Sequence, residues 1–347
     1  MDIQEKKQMY IDTWNMTNKR PLLSLIAPKD KQVWRKISNP ASVRERWINT
    51  SYVIAHARMC IENTCYGGDA IPMFNPNLGP DILGAIIGCE LEFGESTSWA
   101  RHYVTDWEQA GKIAFDSSNW YWLKIKEITE KALEDSRGDY LVGITDLHAG
   151  LDALVSLRGP EALCTDLLDC PETVKESIWK VFEVFKEVYD RLYSIIAARQ
   201  EGTVNWMGVW HPSRAYPTSC DFSCLISPAD FREFVVPELL AQLDFLDASI
   251  YHLDGLGALR HLDPLCAIPQ LKGIQWVPGA GSKPAREWLD VLKKIQDAGK
   301  IIQITIEPED LIPICKNLDP RGLMLDCYCI SEQQADEMIA YVKRCYS

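Results

Sequence analysis

One stretch of the chain, residues 249–257, carries residue types that could do chemistry. It is an apolar run that contains His252 and then Asp254, and two glycines follow. Positions i and i+2 of a β-strand face the same side, so these two side chains are predicted to lie together where a strand ends. An imidazole beside a carboxylate suits acid–base catalysis or metal binding. The alternative is a buried histidine that is hydrogen-bonded to its aspartate neighbour for structural reasons.

A second polar pair, Cys327 and Cys329, ends another apolar run near the C-terminus. The spacing is too short for the two-residue zinc knuckle that C-x-x-C forms. On one strand, however, both thiols point the same way, and the pattern leaves open which is a ligand and which a packing residue.

Eight strand-like runs alternate with helical patterns, and these must position the polar residues. They cover residues 22–27, 69–75, 140–146, 204–210, 249–253, 273–277, 300–306 and 323–329. Such alternation is typical of a parallel sheet, and eight units predict a (β/α)8 TIM barrel formed by a single domain over residues 1–347. A doubly wound sheet is the alternative, but no Gly-x-Gly-x-x-Gly follows the first strand.

Residues 1–20 are predicted to be an N-terminal helical extension. Residues around 90–138 are predicted to be an insertion over the barrel mouth, or else an ordinary long connection.

The strand ends of a barrel meet at one rim, so the residues that end the eight runs are candidate site residues. Predicted substrate-binding residues are Asn75, Asp146, His148, Trp210, Gln275 and Trp276, and predicted metal ligands are His252, Glu307, Cys327 and Cys329. Imidazole, thiolate and carboxylate together suit zinc. The twelve tryptophans favour a flat aromatic ligand or a cage for a quaternary ammonium.

Composition narrows the function further. The 347 residues are 47% hydrophobic and 24% charged, with a net charge of −13. Because the sequence has no basic stretch that could neutralise phosphates, a nucleic-acid partner is not expected. The sequence has no apolar run near 18 residues and no signal peptide, so a cytoplasmic protein without membrane association is expected. The twelve cysteines are expected to be free thiols in a reducing compartment.

Four segments carry a family resemblance. They are Tyr251–Gly255, Gln275–Gly279, Ser227–Pro237 and Cys329–Ala335, and they resemble the uroporphyrinogen decarboxylase superfamily, within it the corrinoid-dependent methyltransferases. The resemblance runs from about Arg20 onward. It implies a (β/α)8 barrel that holds zinc through a His-x-Cys pair after strand five and a late cysteine. His252 matches the histidine, Asp254 stands in place of the first cysteine, and Cys329 or Cys327 matches the last. Glu307 is expected to complete the ligand set.

The resemblance implies that true uroporphyrinogen decarboxylases carry arginines beside the first strand, which hold substrate carboxylates, and an aspartate after the second strand, which holds the pyrrole nitrogens. Here the first strand continues into Ala27-Pro-Lys-Asp30, and the second ends in Asn75. The resemblance therefore implies an enzyme that moves a methyl group between a small donor, of the methoxylated aromatic or methylamine type, and a separate corrinoid protein. Two alternatives stay open: a metal-independent decarboxylase or lyase in which His252 and Asp254 are the acid–base pair, and a non-catalytic binding barrel. A homodimer also stays open.

Overall fold

The computed structural model describes residues 2–108 and 113–346. Within them the strands are β1 (Leu22–Pro28), β2 (Thr64–Gly68), β3 (Met73–Phe74), β4 (Glu90–Phe93), β5 (Ser98–Arg101), β6 (Leu141–Val142), β7 (Thr203–Val204), β8 (Trp210–His211), β9 (Thr218–Ser219), β10 (Ile250–Asp254), β11 (Gly273–Val277), β12 (Ile301–Thr305) and β13 (Leu323–Tyr328).

Helices separate most of these strands. They are α1 (Ile3–Trp14), α2 (Val43–Ile48), α3 (Thr50–Glu62), α4 (Ile82–Ile87), α5 (Trp120–Ser136), α6 (Gly150–Arg158), α7 (Pro160–Asp169), α8 (Pro171–Ala197), α9 (Pro228–Asp230), α10 (Val236–Phe245), α11 (Gly255–Ala258), α12 (Leu262–Cys266), α13 (Leu289–Asp297), α14 (Leu311–Asn317) and α15 (Glu332–Cys345). In the described part of the chain, no helix has both the length and the apolarity needed to cross a membrane.

The (β/α)8 barrel is formed by eight strands, which are β1, β3, β6, β7, β10, β11, β12 and β13. β1, β13, β12, β11 and β10 pair in that order as parallel neighbours, and β3 pairs in parallel with β6. The Ile144 N–H donates to the Val204 carbonyl, which links the chain after β6 to β7. This arrangement confirms the fold class predicted from the alternation of strands and helices.

The predicted N-terminal helical extension is α1, and it closes the barrel at the end where the strands begin. It starts at Asp2 in a capping box with Glu5. Its Tyr10 packs in a small apolar cluster with the first residues of several strands, among them Leu22 and Ile250. Burying one face of a helix against the strand starts leaves the opposite end of the barrel for ligands, as in other barrels of this kind.

The fourth strand is shorter than predicted. Its β-structure stops at Val204, and the Asn205 side chain accepts the N–H of Met207 at 3.0 Å. Gly208 then adopts φ +75, which glycine tolerates without steric cost. The chain returns antiparallel as β8 and only later supplies β9, which pairs with β10. The prediction of one strand over residues 204–210 is therefore wrong, because a turn interrupts it.

The predicted insertion around residues 90–138 has two different parts. The first is a β-hairpin of β4 and β5. The second contains α5, which begins at an Asn119 cap and packs against α3 and β6 as the crossover helix before the third barrel strand. Residues 109–112 of this segment lie outside the described residues.

Candidate active site

His252 projects from β10 into the barrel. Its neighbours Tyr251 and Leu253 pack in the apolar layer between the strands and the helices, so alternation turns the imidazole inward. Its Nδ1 is hydrogen-bonded to Oε1 of Gln275, the paired residue on β11. An amide oxygen only accepts, so Nδ1 carries the proton and the lone pair is on Nε2. The Trp206 ring stands edge-on to this imidazole, with ring centroids 5.0 Å apart.

A second histidine, His148, lies on the segment between β6 and α6. Its Nε2 is 2.9 Å from Asp146 Oδ1, and its Nδ1 is 3.4 Å from Asp152 Oδ2. The Ser219 hydroxyl lies 3.2 Å from the same Nδ1. This imidazole therefore has a carboxylate on each nitrogen, an arrangement that stabilises its protonated form.

Asp221 connects the two histidines, and sequence analysis did not find it. It opens a short 3-10 turn, Asp221–Leu225, directly after Cys220. The N–H groups of Asp221 and Phe222 both donate to the Asp152 carboxylate at 2.9 Å, which fixes the turn at the rim. The Asp221 carboxylate lies 3.9 Å from His148 Nδ1.

Two overlapping groups of possible metal ligands result. One is His148, Asp152 and Asp221, the other is Asp221, His252 and Asp254, and within each group the ligand atoms lie within 4.8 Å of one another. Asp221 belongs to both. Sequence analysis predicted His252, Asp254, Asp146 and His148 at the rim. The structure brings His252, Asp254 and His148 to this shared carboxylate, and Asp146 contacts His148.

Burial and the neighbouring carboxylates change the proton affinity of two groups in this cluster, Asp221 and His148. Desolvation and the nearby Asp152 carboxylate raise the pKa of Asp221 to about 6, although His148 and His252 act in the opposite direction. Desolvation lowers the pKa of His148, but the Asp146 and Asp152 carboxylates outweigh it and hold this pKa well above its usual value. Perturbed acids and bases gathered at one rim are typical of a catalytic site.

The second group fits a divalent cation such as zinc. Imidazole nitrogen and carboxylate oxygen are ordinary zinc ligands. A metal-binding histidine usually donates its other ring N–H to an acceptor, which fixes the tautomer, and Gln275 supplies that acceptor for His252. The donor set is nitrogen and oxygen only, and so harder than the thiolate-containing set expected from the sequence.

Cys327 and Cys329 are not brought together with His252. Both are buried in the apolar layer outside the strands, where the Cys329 Sγ is 3.9 Å from Cys327 Sγ and 3.7 Å from Met338 Sδ on α15. Burial raises the pKa of both thiols, which disfavours the thiolate that a metal needs. Among the described residues, neither cysteine belongs to a group of three possible ligands.

Three other predicted site residues lie elsewhere. Trp210 is buried at the barrel floor, where Lys7 and Tyr10 of α1 contact its ring. Trp276 faces the helix layer and packs edge-on against Trp288 at 5.3 Å. The exposed Glu307 precedes a 3-10 turn, and its N–H donates to Asp310; among the described residues it belongs to neither group of possible metal ligands.

Asn75 remains near the mouth. It lines a groove with Met73 and Tyr66, and its buried Oδ1 has no hydrogen-bond partner in the described part of the chain.

Trp206 also belongs to the site, although sequence analysis did not single it out. Its Asn205-Trp-Met-Gly208 context was a turn signal that the longer strand pattern concealed.

Comparisons with known proteins address the fold. A scan against protein-family models and a search of curated proteins both find no match. Among solved structures, a methyltransferase from Methanosarcina mazei is similar with a TM-score of 0.59 and 12% identity, over 99% of both chains. A B12-independent methionine synthase from Shewanella sp. W3-18-1 gives a TM-score of 0.45 and 9% identity, over 91% of this chain and 94% of that one.

The first of these likenesses extends over almost the full length of both chains. It agrees with the order of parallel strands and helices in this chain. The chain therefore shares its (β/α)8 fold with the methyltransferase from Methanosarcina mazei.

Proposed function

We propose that this protein is a methyltransferase that moves a methyl group between a small donor and a corrinoid carried by a separate protein. The observation that supports it best is the placement of His252, Asp254 and Asp221 around one point at the barrel rim. The similarity in fold to a methyltransferase adds to it.

The proposed metal ligands are His252 Nε2 and the carboxylates of Asp254 and Asp221. Bound there, zinc would supply Lewis acidity toward a thiol or a departing heteroatom. Gln275 holds the His252 ring in one tautomer and orientation, and Asp152 holds the turn that presents Asp221. His148, which has Asp146 and Asp152 beside its two ring nitrogens, would act as the proton donor to a departing alkoxide or phenoxide.

Replacing Gln275 by Leu is expected to weaken metal binding 10- to 100-fold, the usual range for losing the acceptor behind a histidine ligand. The ring would then lose the hydrogen bond that fixes its tautomer, while its position on β10 stays. Competition titration with a chromophoric zinc chelator measures the affinity. Gln275→Glu, which restores an acceptor, is expected to recover most of it, and equal affinity in Gln275→Leu and the unaltered protein would contradict the role.

A metal-independent lyase is the second candidate, because the raised pKa values of Asp221 and His148 also suit an acid–base pair. In that case His148 and Asp221 would transfer protons directly to and from substrate.

A chelator separates the two functions. The purified protein is assayed for metal content and for methyl transfer between a thiol and free methylcobalamin, before and after dialysis against a chelator. Methyl transfer that is lost with the metal and restored by zinc supports the proposal. A protein that takes up no metal and transfers no methyl group would overturn it and leave the lyase as the better candidate, and methyl transfer that resists the chelator would contradict the role of the metal.

A further inference from the structure

The other group of possible metal ligands, His148, Asp152 and Asp221, lies beside the proposed zinc site and shares Asp221 with it. The His148 Nδ1 lies 3.4 Å from Asp152 Oδ2 and 3.9 Å from Asp221 Oδ2. Two ligand atoms at about 2.1 Å from a tetrahedral zinc ion are about 3.4 Å apart. The three side chains are therefore close to the spacing that one divalent cation needs.

The surroundings of His148 resemble those of a histidine that binds a metal. Its Nε2 lies 2.9 Å from Asp146 Oδ1, a buried oxygen with no other hydrogen-bond partner among the described residues. A carboxylate or carbonyl behind the far nitrogen is the usual partner of a metal-binding imidazole, and Gln275 has the same position behind His252. With the Nε2 proton directed to Asp146, the Nδ1 lone pair faces the other two carboxylates and the Ser219 hydroxyl.

The two carboxylates are held by the protein and still have room for a cation. Asp152 accepts the N–H groups of Asp221 and Phe222, each at 2.9 Å, and these bonds use about half of its acceptor positions. Hydrogen bonds of this kind are typical of carboxylates that bind metals. Asp221 belongs to both ligand groups, and its two oxygens allow it to bridge two ions.

A cavity of about 250 Å³ gives access to this group. All three candidate ligands line it, together with apolar side chains such as Phe222 and Leu225. The described residues that line it include no lysine or arginine, so no ammonium or guanidinium group in its wall neutralises the carboxylates. A cation held by three protein ligands would neutralise them and keep one coordination position open toward the cavity.

We propose that the barrel rim binds two divalent cations such as zinc, bridged by Asp221, and that His148 Nδ1 and Asp152 complete the second site. The second ion lies beside an ion of the same charge, so it binds more weakly, and one equivalent of zinc occupies the His252 group. Its part in catalysis rests on the proposed methyl transfer, in which it would neutralise a departing oxygen in place of the His148 proton.

Isothermal titration of the metal-free protein with zinc counts the ions. The unaltered protein is expected to bind two ions per chain, the second at least about tenfold more weakly than the first. The variant His148→Gln, which keeps a polar side chain but removes the imidazole, is expected to bind one. A count of one for the unaltered protein, or of two for His148→Gln, would overturn the proposal, and the first of these tests needs no variant.

His56→Gln is the matched control, because it removes a histidine that lies outside the rim. The exposed His56 on α3 has the Cys60 thiol 3.6 Å from its Nδ1, and such a pair could hold zinc adventitiously. This variant should bind two ions, as the unaltered protein does. Loss of the second ion in His56→Gln, with two ions kept in His148→Gln, would show that the second ion binds on α3 and would contradict the assignment.

Electron paramagnetic resonance of the manganese-loaded protein tests the bridge, since Mn²⁺ also accepts imidazole and carboxylate ligands. Two Mn²⁺ ions joined by one carboxylate are magnetically coupled, so the signal at two equivalents should be broader than the signal at one equivalent. Two uncoupled signals would contradict the bridge. One ion per chain with methyl transfer would overturn this inference alone, and two ions without methyl transfer would overturn the proposed function alone.

Discussion

The variant Asp221→Asn is expected to lose metal binding and at least about 99% of methyl-transfer activity. Asp221 contributes a carboxylate to both candidate ligand groups, and a neutral amide is a much poorer ligand for a divalent cation. A hundredfold loss corresponds to about 2.7 kcal/mol of transition-state stabilisation, within the several kcal/mol that a Lewis-acidic metal supplies. Elemental analysis after gel filtration and the corrinoid assay measure the two effects.

Cys329→Ser is the matched control for that variant. Cys329 is buried against Met338 of α15, so its replacement should reduce stability and leave metal content and activity per folded molecule unchanged. If Cys329→Ser lost the metal while Asp221→Asn retained it, the thiol-containing ligand set expected from the sequence would be the correct one.

The variant Glu238→Gln is expected to be more stable than the unaltered protein at about pH 8, by about 3 kcal/mol, and nearly equal to it at about pH 4.5. Glu238 on α10 is fully buried, and desolvation raises its pKa from 4.5 to about 7, although Gln242 donates to both carboxylate oxygens at 2.8 Å. A shift of that size corresponds to about 1.4 kcal/mol per pKa unit.

The sign of this effect follows from proton binding. Between pH 4.5 and 7 the folded state keeps the Glu238 proton and the unfolded state has lost it, so stability falls as the pH rises through this range. A glutamine has no proton to lose and removes the effect. Urea unfolding at both pH values, in the presence of a chelator, measures it. Glu183→Gln, an exposed glutamate paired with Lys186 on α8, should show no comparable change, and a pH-independent difference for Glu238→Gln would contradict the assignment.

The barrel was predictable from the sequence because its signal is repeated eight times. Each strand-like run is followed by a helical pattern, and a single misplaced strand end does not change their order. The fourth strand shows the limit. The pattern of Val204 to Trp210 is strand-like throughout, but Asn205 and Gly208 form a turn inside it, and this displaces Trp210 from the rim to the floor.

The candidate site was only half predictable, and the misses have two physical causes. Leu323, Leu325 and Cys327 lie on one face of the last strand, which packs against the helices, and Asp326 lies on the opposite face inside the barrel. The residue types of Cys327 and Cys329 favoured metal binding, whereas this alternation indicates that both thiols are buried on the helix side. Asp221 and Asp152 lie outside the barrel strands, in a short 3-10 turn and on a helix. Asp152 lies four residues from His148 and contacts it locally, whereas Asp221 is held near the histidines by hydrogen bonds from its turn to Asp152, across 69 residues of chain.

X-ray absorption at the zinc edge of the zinc-loaded protein tests the central claim most directly, because it identifies the ligand atoms. The structure predicts a first shell of nitrogen and oxygen only, at about 2.0–2.2 Å, from His252, Asp254 and Asp221. The His252→Ala variant should lose the bound zinc and its signal. A sulfur shell at about 2.3 Å would show that a cysteine is a ligand and would contradict the account.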